Sequence, residues 1–205
     1  MQLLLVGVSH RTAPIELRER LDFSARGVDR ALTALSGTGA HREATIVSTC
    51  NRVELYVACD DSDAARGAIQ HFLSEFHGIP REQLAPHIYS KTGQEAVSHL
   101  YRVAAGLDSL VMGEPQILGQ VKEAYGVASQ LGSTGPLLNK LFHSAFAAGK
   151  RVRTETALAE GAVSVSYAAV ELARKIFGRS KVAQCSLSAL ARWGSSRPSI
   201  CNHRA

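Results

Sequence analysis

Two apolar runs, Ala44 to Val47 and Val53 to Ala58, flank the polar segment Ser48-Thr49-Cys50-Asn51-Arg52. Runs of that length joined by a polar link holding a turn-forming asparagine predict a β-hairpin with Cys50 at its bend. A thiol at a bend is presented to solvent. Arg52 would favour its thiolate, and turn amides with Thr49 and Asn51 would supply hydrogen bonds, so the pattern fits a nucleophile. The same residue also fits a small buried hydrophobe, the usual fate of an unpaired cysteine.

The hairpin sits in a mixed N-terminal segment. Gln2 to Val8 reads as a strand, broken by Ser9-His10-Arg11-Thr12-Ala13-Pro14, whose proline suits a helix start. A short amphipathic helix through Leu17 and Leu21 follows, then a second with Val28, Leu32 and Leu35 at helical spacing. After the hairpin come a helix from about Asp61 to Phe76 and an edge strand near Ile88-Tyr89. This order predicts an α+β fold, a ferredoxin-like βαββα sandwich with its sheet covered on one face. From Thr92 a helical subdomain follows, with Gln94 to Leu107, Pro115 to Leu131 and Leu137 to Arg153, and then a long C-terminal Ala-rich helix from about Ala162 to Ile176. Glycine and proline clusters at 113–115 and 132–136 mark the breaks.

With 205 residues and 45% apolar content, the chain holds one large domain or one domain and part of a second. No run approaches a membrane span and no signal-like stretch opens the chain, so a cytoplasmic protein without membrane attachment is expected. Cys50, Cys59, Cys185 and Cys201 lack metal-ligand spacing and read as free thiols, with no metal site. The net charge of +5 is concentrated at the end: residues 180–205 hold Lys181, Arg192, Arg197 and Arg204 and no acid. The body is nearly neutral, so a polyanion would have to meet a local patch such as Lys150-Arg151-Val152-Arg153.

Other chemistry-bearing residues are scattered. His99 falls on a helix with Val97, Leu100 and Val103, which fits an ordinary helical histidine as well as a site residue. Ser109, Glu114, Gln116 and Gln120 surround a glycine-bounded helix start, where backbone amides and short polar groups bind anions or merely cap. His10 and Arg11 follow the first strand, where loops build sites or are simply solvated.

Longer blocks join these groups. Ser48 through Tyr56, Gly7 through Pro14, Arg102 through Ser109, Gly113 through Lys122, and Gly149 through Thr156 followed by Gly161 through Tyr167 resemble the glutamyl-tRNA reductases, over residues 2 to about 178. The resemblance implies the first step of tetrapyrrole (porphyrin) biosynthesis: a cysteine attacks the ester of glutamyl-tRNA, and NADPH reduces the resulting thioester to glutamate-1-semialdehyde. Cys50 matches the nucleophile and His99 a position important for activity, with general-base and positioning roles both open. Thr49, Asn51, Arg52, Ser109, Glu114, Pro115, Gln116 and Gln120 match the residues that bind the glutamyl group. Glu114 suits its α-ammonium, and Arg52 its carboxylate by bidentate pairing. Implied partners are glutamyl-tRNA and the downstream semialdehyde aminomutase; family members are homodimers, but the dimerisation domain is missing from this sequence.

Family members continue into an NADPH-binding Rossmann domain and a dimerisation domain. Here the text after Phe177-Gly178 becomes Ser- and Arg-rich, with no G-x-G-x-x-G and no complete Rossmann pattern. Read one base out of frame, Trp193-Gly194 must encode glycine and Gln184-Cys185 valine or methionine. Permitted codons from Ser188 to Ser195 then give a glycine-rich fingerprint after an apolar run. The expected organisation is a catalytic domain over residues 1–145, a helical linker over 146–178, and an out-of-frame, disordered tail over 179–205 that binds no NADPH. Such a chain would keep only the thioester and esterase half of the reaction. Readings from other classes are a tRNA-binding helical module without chemistry, and a stand-alone cysteine hydrolase with His99 as base.

Overall fold

A computed structural model of the chain describes residues 1–23, 26–156 and 158. The expected helix over 162–176, Cys185, Cys201, Trp193 and the tail lie outside the described residues. The elements run β1 (Gln2–Ser9), α1 (Ile15–Arg20), α2 (Val28–Ser36), β2 (Glu43–Thr49), β3 (Arg52–Cys59), α3 (Ser62–His77), α4 (Arg81–Leu84), β4 (Tyr89–Thr92), α5 (Gly93–Ala104), α6 (Gln116–Gln130) and α7 (Pro136–Glu155). The strands form one sheet in the order β2-β3-β1-β4, every neighbouring pair antiparallel. The architecture is mixed α and β, as the order of sequence signals predicts, and α7 passes residue 145 without a break.

Turn and cap chemistry sets the local boundaries. Asp61 accepts hydrogen bonds from the amides of Asp63 and Ala64 at the start of α3, and Gly78, with φ +64°, ends it in the left-handed region. Pro136 occupies the first turn of α7, where its missing N–H costs nothing.

The sheet is covered on both faces, not on one. Leu4, Val6, Val8, Ile46, Val53, Leu55 and Val57 pack with α2, α3 and Phe23. Leu3, Leu5, Val47 and Tyr56 pack on the other side with α5, α6 and α7. The unbroken run Leu3-Leu4-Leu5-Val6 is the physical reason, because a strand with solvent on one side alternates apolar and polar residues and this one does not. The helices after Thr92 therefore form the second layer of the same domain. Gly149 lets α7 lie close against α5: a Cβ there would stand 2.7 Å from the carbonyl oxygen of Ala104.

The outer edge of β2 is closed by the turn between α6 and α7. Ala44 N–H donates to Ser133 O (2.8 Å), and Ser133 Oγ donates to Ala44 O (2.9 Å). Beside it the buried Glu43 carboxylate accepts from the amides of Leu137 and Leu138 at 3.1 and 2.7 Å, capping α7 with a full negative charge. A Glu43→Ala variant should lose about 2 kcal/mol of unfolding free energy, read as a lower urea midpoint at unchanged slope. An unchanged midpoint would mean that the turn at Ser133, not the carboxylate, fixes α7.

Candidate active site

The hairpin between β2 and β3 carries Cys50 at its bend, as its sequence predicts, and the residue is exposed. Thr49 Oγ1 accepts from the amides of Asn51 (3.3 Å) and Arg52 (3.2 Å), holding the turn from inside. Two outside contacts fix it. His10 N–H donates to Asn51 O at 2.8 Å, and Arg18 Nη1 donates to the carbonyl of Cys50 and to Asn51 Oδ1 (3.4 Å). The guanidinium at the bend is thus that of Arg18, a residue that the sequence did not single out.

Arg52 points elsewhere. It begins β3, and strand alternation sends Arg52, Glu54 and Tyr56 to the face covered by α5, α6 and α7. Its side chain is 1% exposed. Nη1 donates to Glu54 Oε1 at 2.7 Å, and Nη2 donates to the Asp108 backbone oxygen and to Asp108 Oδ2 at 2.6 and 3.1 Å. Arg11 pairs with the other oxygen of Asp108 at 3.1 Å. The fork expected to hold a substrate carboxylate is engaged by two carboxylates of the protein itself.

Glu54 is fully buried and takes four hydrogen bonds. Oε1 receives Arg52, His99 Nε2 (2.7 Å) and Tyr89 OH (2.5 Å), and Oε2 receives Tyr56 OH (2.7 Å). Burial alone raises a carboxyl pKa, but the His99 hydrogen bond and the Arg52 charge outweigh it and hold Glu54 at about 2. Burial and then the Glu54 charge push the Tyr56 and Tyr89 phenols up, so both remain donors. Gly7 lies opposite Glu54 in the β1–β3 ladder and makes room for it; a Cβ there would stand 2.8 Å from Glu54 Cγ and 2.7 Å from Val53 O. His10, close to the same cluster, has its pKa lowered by burial and by Arg52 and Arg11.

Of the residues singled out in the sequence, the structure joins Thr49, Cys50, Asn51 and Arg52 to His99 through Glu54, and to the 105–115 loop through Asp108. That loop is closed by Gly113 N–H donating to Gly106 O (2.9 Å). Ser109, next to Asp108, has a buried Oγ with no partner among the described residues. Glu114 and Pro115 precede α6, and Arg153 Nη2 donates to their carbonyls at 3.1 and 2.9 Å. Gln116 and Gln120 lie on the first turns of α6, and their side chains make no hydrogen bond among the described residues. Arg151 is paired with Glu155, so of the basic cluster near residue 150 only Lys150 lacks a partner among the described residues. Glu54, Asp108, Tyr89 and Arg18 went unrecognised in the sequence. Glu54 alone left a signal, as an acid inside an apolar strand.

An open cleft of about 680 Å³ lies beside this network, lined by Ser9, Arg11, Tyr89, Lys91, His99 and Arg102 among others. Among the described residues no group of three His, Cys, Asp or Glu could hold a metal ion, and no helix is long and apolar enough to cross a membrane.

Residues 6–156 match the family described as glutamyl-tRNA(Glu) reductase, N-terminal domain. Similar curated proteins include the glutamyl-tRNA reductases of Syntrophotalea carbinolica, 56% identical over 87% of this chain and 40% of that protein, and of Geobacter sulfurreducens, 52% identical over 87% and 41%. Among solved structures, glutamyl-tRNA reductase from Methanopyrus kandleri is similar with a TM-score of 0.64 and 36% identity, covering 86% of this chain and 40% of that one. The chain therefore spans about two fifths of the length of the relatives it matches.

Two outcomes follow from the geometry. Cys50 is exposed, whereas Cys59 is buried and its thiol is pushed up, first by burial and then by Asp60 and Asp61. Iodoacetamide should alkylate Cys50 in the folded protein and Cys59 only after unfolding, as peptide mass spectrometry would show; equal labelling would contradict the assignment. Glu54 has a folded pKa below its ordinary 4.5, so its contribution to stability is full above pH 4.5 and is lost as pH falls towards 2. Urea midpoints should drop across that window by an amount worth on the order of 2–3 kcal/mol. The Glu54→Gln variant should show a flatter profile there.

Proposed function

The chain belongs to the glutamyl-tRNA reductase family, and from that premise we propose that its N-terminal domain takes the glutamyl group of glutamyl-tRNA onto Cys50 as a thioester. The observation that carries the reading is an exposed cysteine at a bend clamped from three sides, in a chain whose residues 6–156 match the family's N-terminal domain. The Cys50 thiol gives its proton to solvent and attacks the ester carbonyl as the thiolate; a C–S bond forms, the bond to the ribose oxygen breaks, and that oxygen leaves with a proton taken from solvent. A thioester accepts hydride more readily than an ester, so the transfer splits one hard reduction into two easier steps.

Thr49, Asn51, Ser109, Glu114, Pro115, Gln116 and Gln120 are the proposed contacts to the glutamyl group. Ser109 brings an unpartnered buried hydroxyl and Glu114 a carboxylate suited to the α-ammonium. Arg52 would reach the substrate carboxylate by exchanging Asp108, which it holds with the longer of its two Nη2 bonds. NADPH supplies hydride in the family's complete reaction to glutamate-1-semialdehyde. Its phosphates need a glycine-rich turn from a strand into a helix, and the described residues contain none, so the hydride step is not assigned to them. Without hydride, water releases glutamate slowly, and the activity proposed for these residues is that of a weak glutamyl-tRNA esterase. The sheet we assign to the ferredoxin-like class, supported by the strand order β2-β3-β1-β4 with antiparallel neighbours.

Incubating the chain with glutamyl-tRNA and quenching in acid should leave a hydroxylamine-labile glutamyl adduct on the Cys50 peptide. Cys50→Ser should form none. An adduct that survives the substitution, or none in the unsubstituted chain, would overturn the assignment.

A further inference from the structure

The bond between Glu54 and His99 has a direction that chemistry fixes. An ionised carboxylate only accepts hydrogen bonds, so at 2.7 Å from Glu54 Oε1 the Nε2 atom of His99 must carry the hydrogen. Arg52 Nη1, 3.5 Å from the same Nε2, is itself a donor and cannot reverse this; Oε1 lies within 2.7 Å of both and accepts from each. In neutral imidazole the lone pair then sits on Nδ1. Nδ1 has no partner among the described residues, while the His99 ring lines the cleft together with Lys91, Glu95, Arg102 and Asp108.

We propose that Glu54 is a positioning residue for the thioester chemistry: it locks His99 as the Nε2–H tautomer and so presents Nδ1 to the cleft as a proton acceptor. The kinetic part of this rests on the reading of Cys50 given above; the tautomer does not. When a water in the cleft forms its C–O bond to the acyl carbon held on Cys50, its O–H bond breaks, the proton bonds to the Nδ1 lone pair, and the ring becomes imidazolium; the C–S bond then breaks, glutamate and the Cys50 thiolate part, and the ring gives its proton to solvent. The ionised Glu54 carboxylate, itself fully buried and hydrogen-bonded to the opposite ring nitrogen, stabilises that charge. The groups facing His99 are arranged to keep Glu54 in that state. Arg52 of β3 supplies a positive charge, and Tyr56 of β3 and Tyr89 of β4 donate to its oxygens. Tyr89 also packs its ring against the imidazole with centroids 5.7 Å apart, limiting rotation. His99 without Glu54 could bind the cleft through either nitrogen; with it, only one remains basic.

The test is two-bond 1H–15N correlation NMR on the 15N-histidine-labelled chain, with the His99 signals assigned by their loss in His99→Gln. The expected pattern is a protonated Nε2 and a pyridine-type Nδ1; a protonated Nδ1 with a bare Nε2 overturns the proposal, and this reading needs no substrate and no other variant. In Glu54→Gln, whose amide can donate as well as accept, the tautomers should mix and hydrolysis of the Cys50 adduct should slow by about 10²-fold. Retention of both the tautomer and the rate overturns the proposal. Tyr89→Phe leaves the Glu54 charge in place and should keep the Nε2–H form; a switch there would assign the orienting role to Tyr89 and refute the one given to Glu54. Adduct formation on Cys50 is followed in every sample. Its absence with the expected tautomer counts against the Cys50 reading alone, and its presence with the wrong tautomer counts against Glu54 alone.

Discussion

The buried pair of Arg52 and Glu54 is the interaction on which the candidate site depends. Removing two charges from water costs several kcal/mol per ion, and the pair is sustained only where further hydrogen bonds fill the remaining donors and acceptors. Here Glu54 receives four donors and Arg52 adds two bonds to Asp108, so of the two groups only Arg52 Nε stays buried without a partner among the described residues. The network draws on β3, β4, α5 and the loop after α5, so it fixes their mutual positions as well as its own charges. Losing one member would leave a buried charge uncompensated, which is far more costly than losing an exposed ion pair such as Arg42 with Asp60.

Sheet geometry explains why the network lies where it does. Arg52, Glu54 and Tyr56 alternate with Val53, Leu55 and Val57, so one strand sends three apolar side chains into one core and three polar-tipped ones to the other face. Gly7, opposite Glu54, leaves the space its side chain occupies. On the same face Tyr56 bridges the two regimes: its ring meets Phe142 of α7 edge-on with centroids 5.6 Å apart, and its hydroxyl reaches Glu54. The polar cluster thus grows directly out of the second hydrophobic core.

What the sequence showed was what local chemistry decides. The hairpin, the exposed Cys50 and the helices over 62–77, 116–130 and 136–155 follow from turn residues, caps and spacing within a few positions. The covering of the second face was legible in Leu3-Leu4-Leu5-Val6, and the helical subdomain expected after Thr92 is itself that cover. The partners of Arg52 were not legible. Asp108 lies 56 positions away and His99 45 positions from Glu54, and nothing local distinguishes a buried arginine in a strand from one held ready for a substrate. Glu43, bonded to amides 94 and 95 positions on, is hidden for the same reason.

The site combines a rigid base with spare bonding capacity. Arg18 occupies the carbonyl of Cys50 and His10 that of Asn51, so the bend is held through its acceptors while the thiol itself stays exposed. Arg52 ties the hairpin to Asp108, and that contact brings the neighbouring Ser109 into the same region with its Oγ buried and unpartnered among the described residues. An orphaned buried hydroxyl costs free energy in the unliganded fold, and a ligand that hydrogen-bonds it recovers that cost on binding. A ligand rich in polar atoms is therefore favoured at such a hydroxyl over an apolar one of equal size.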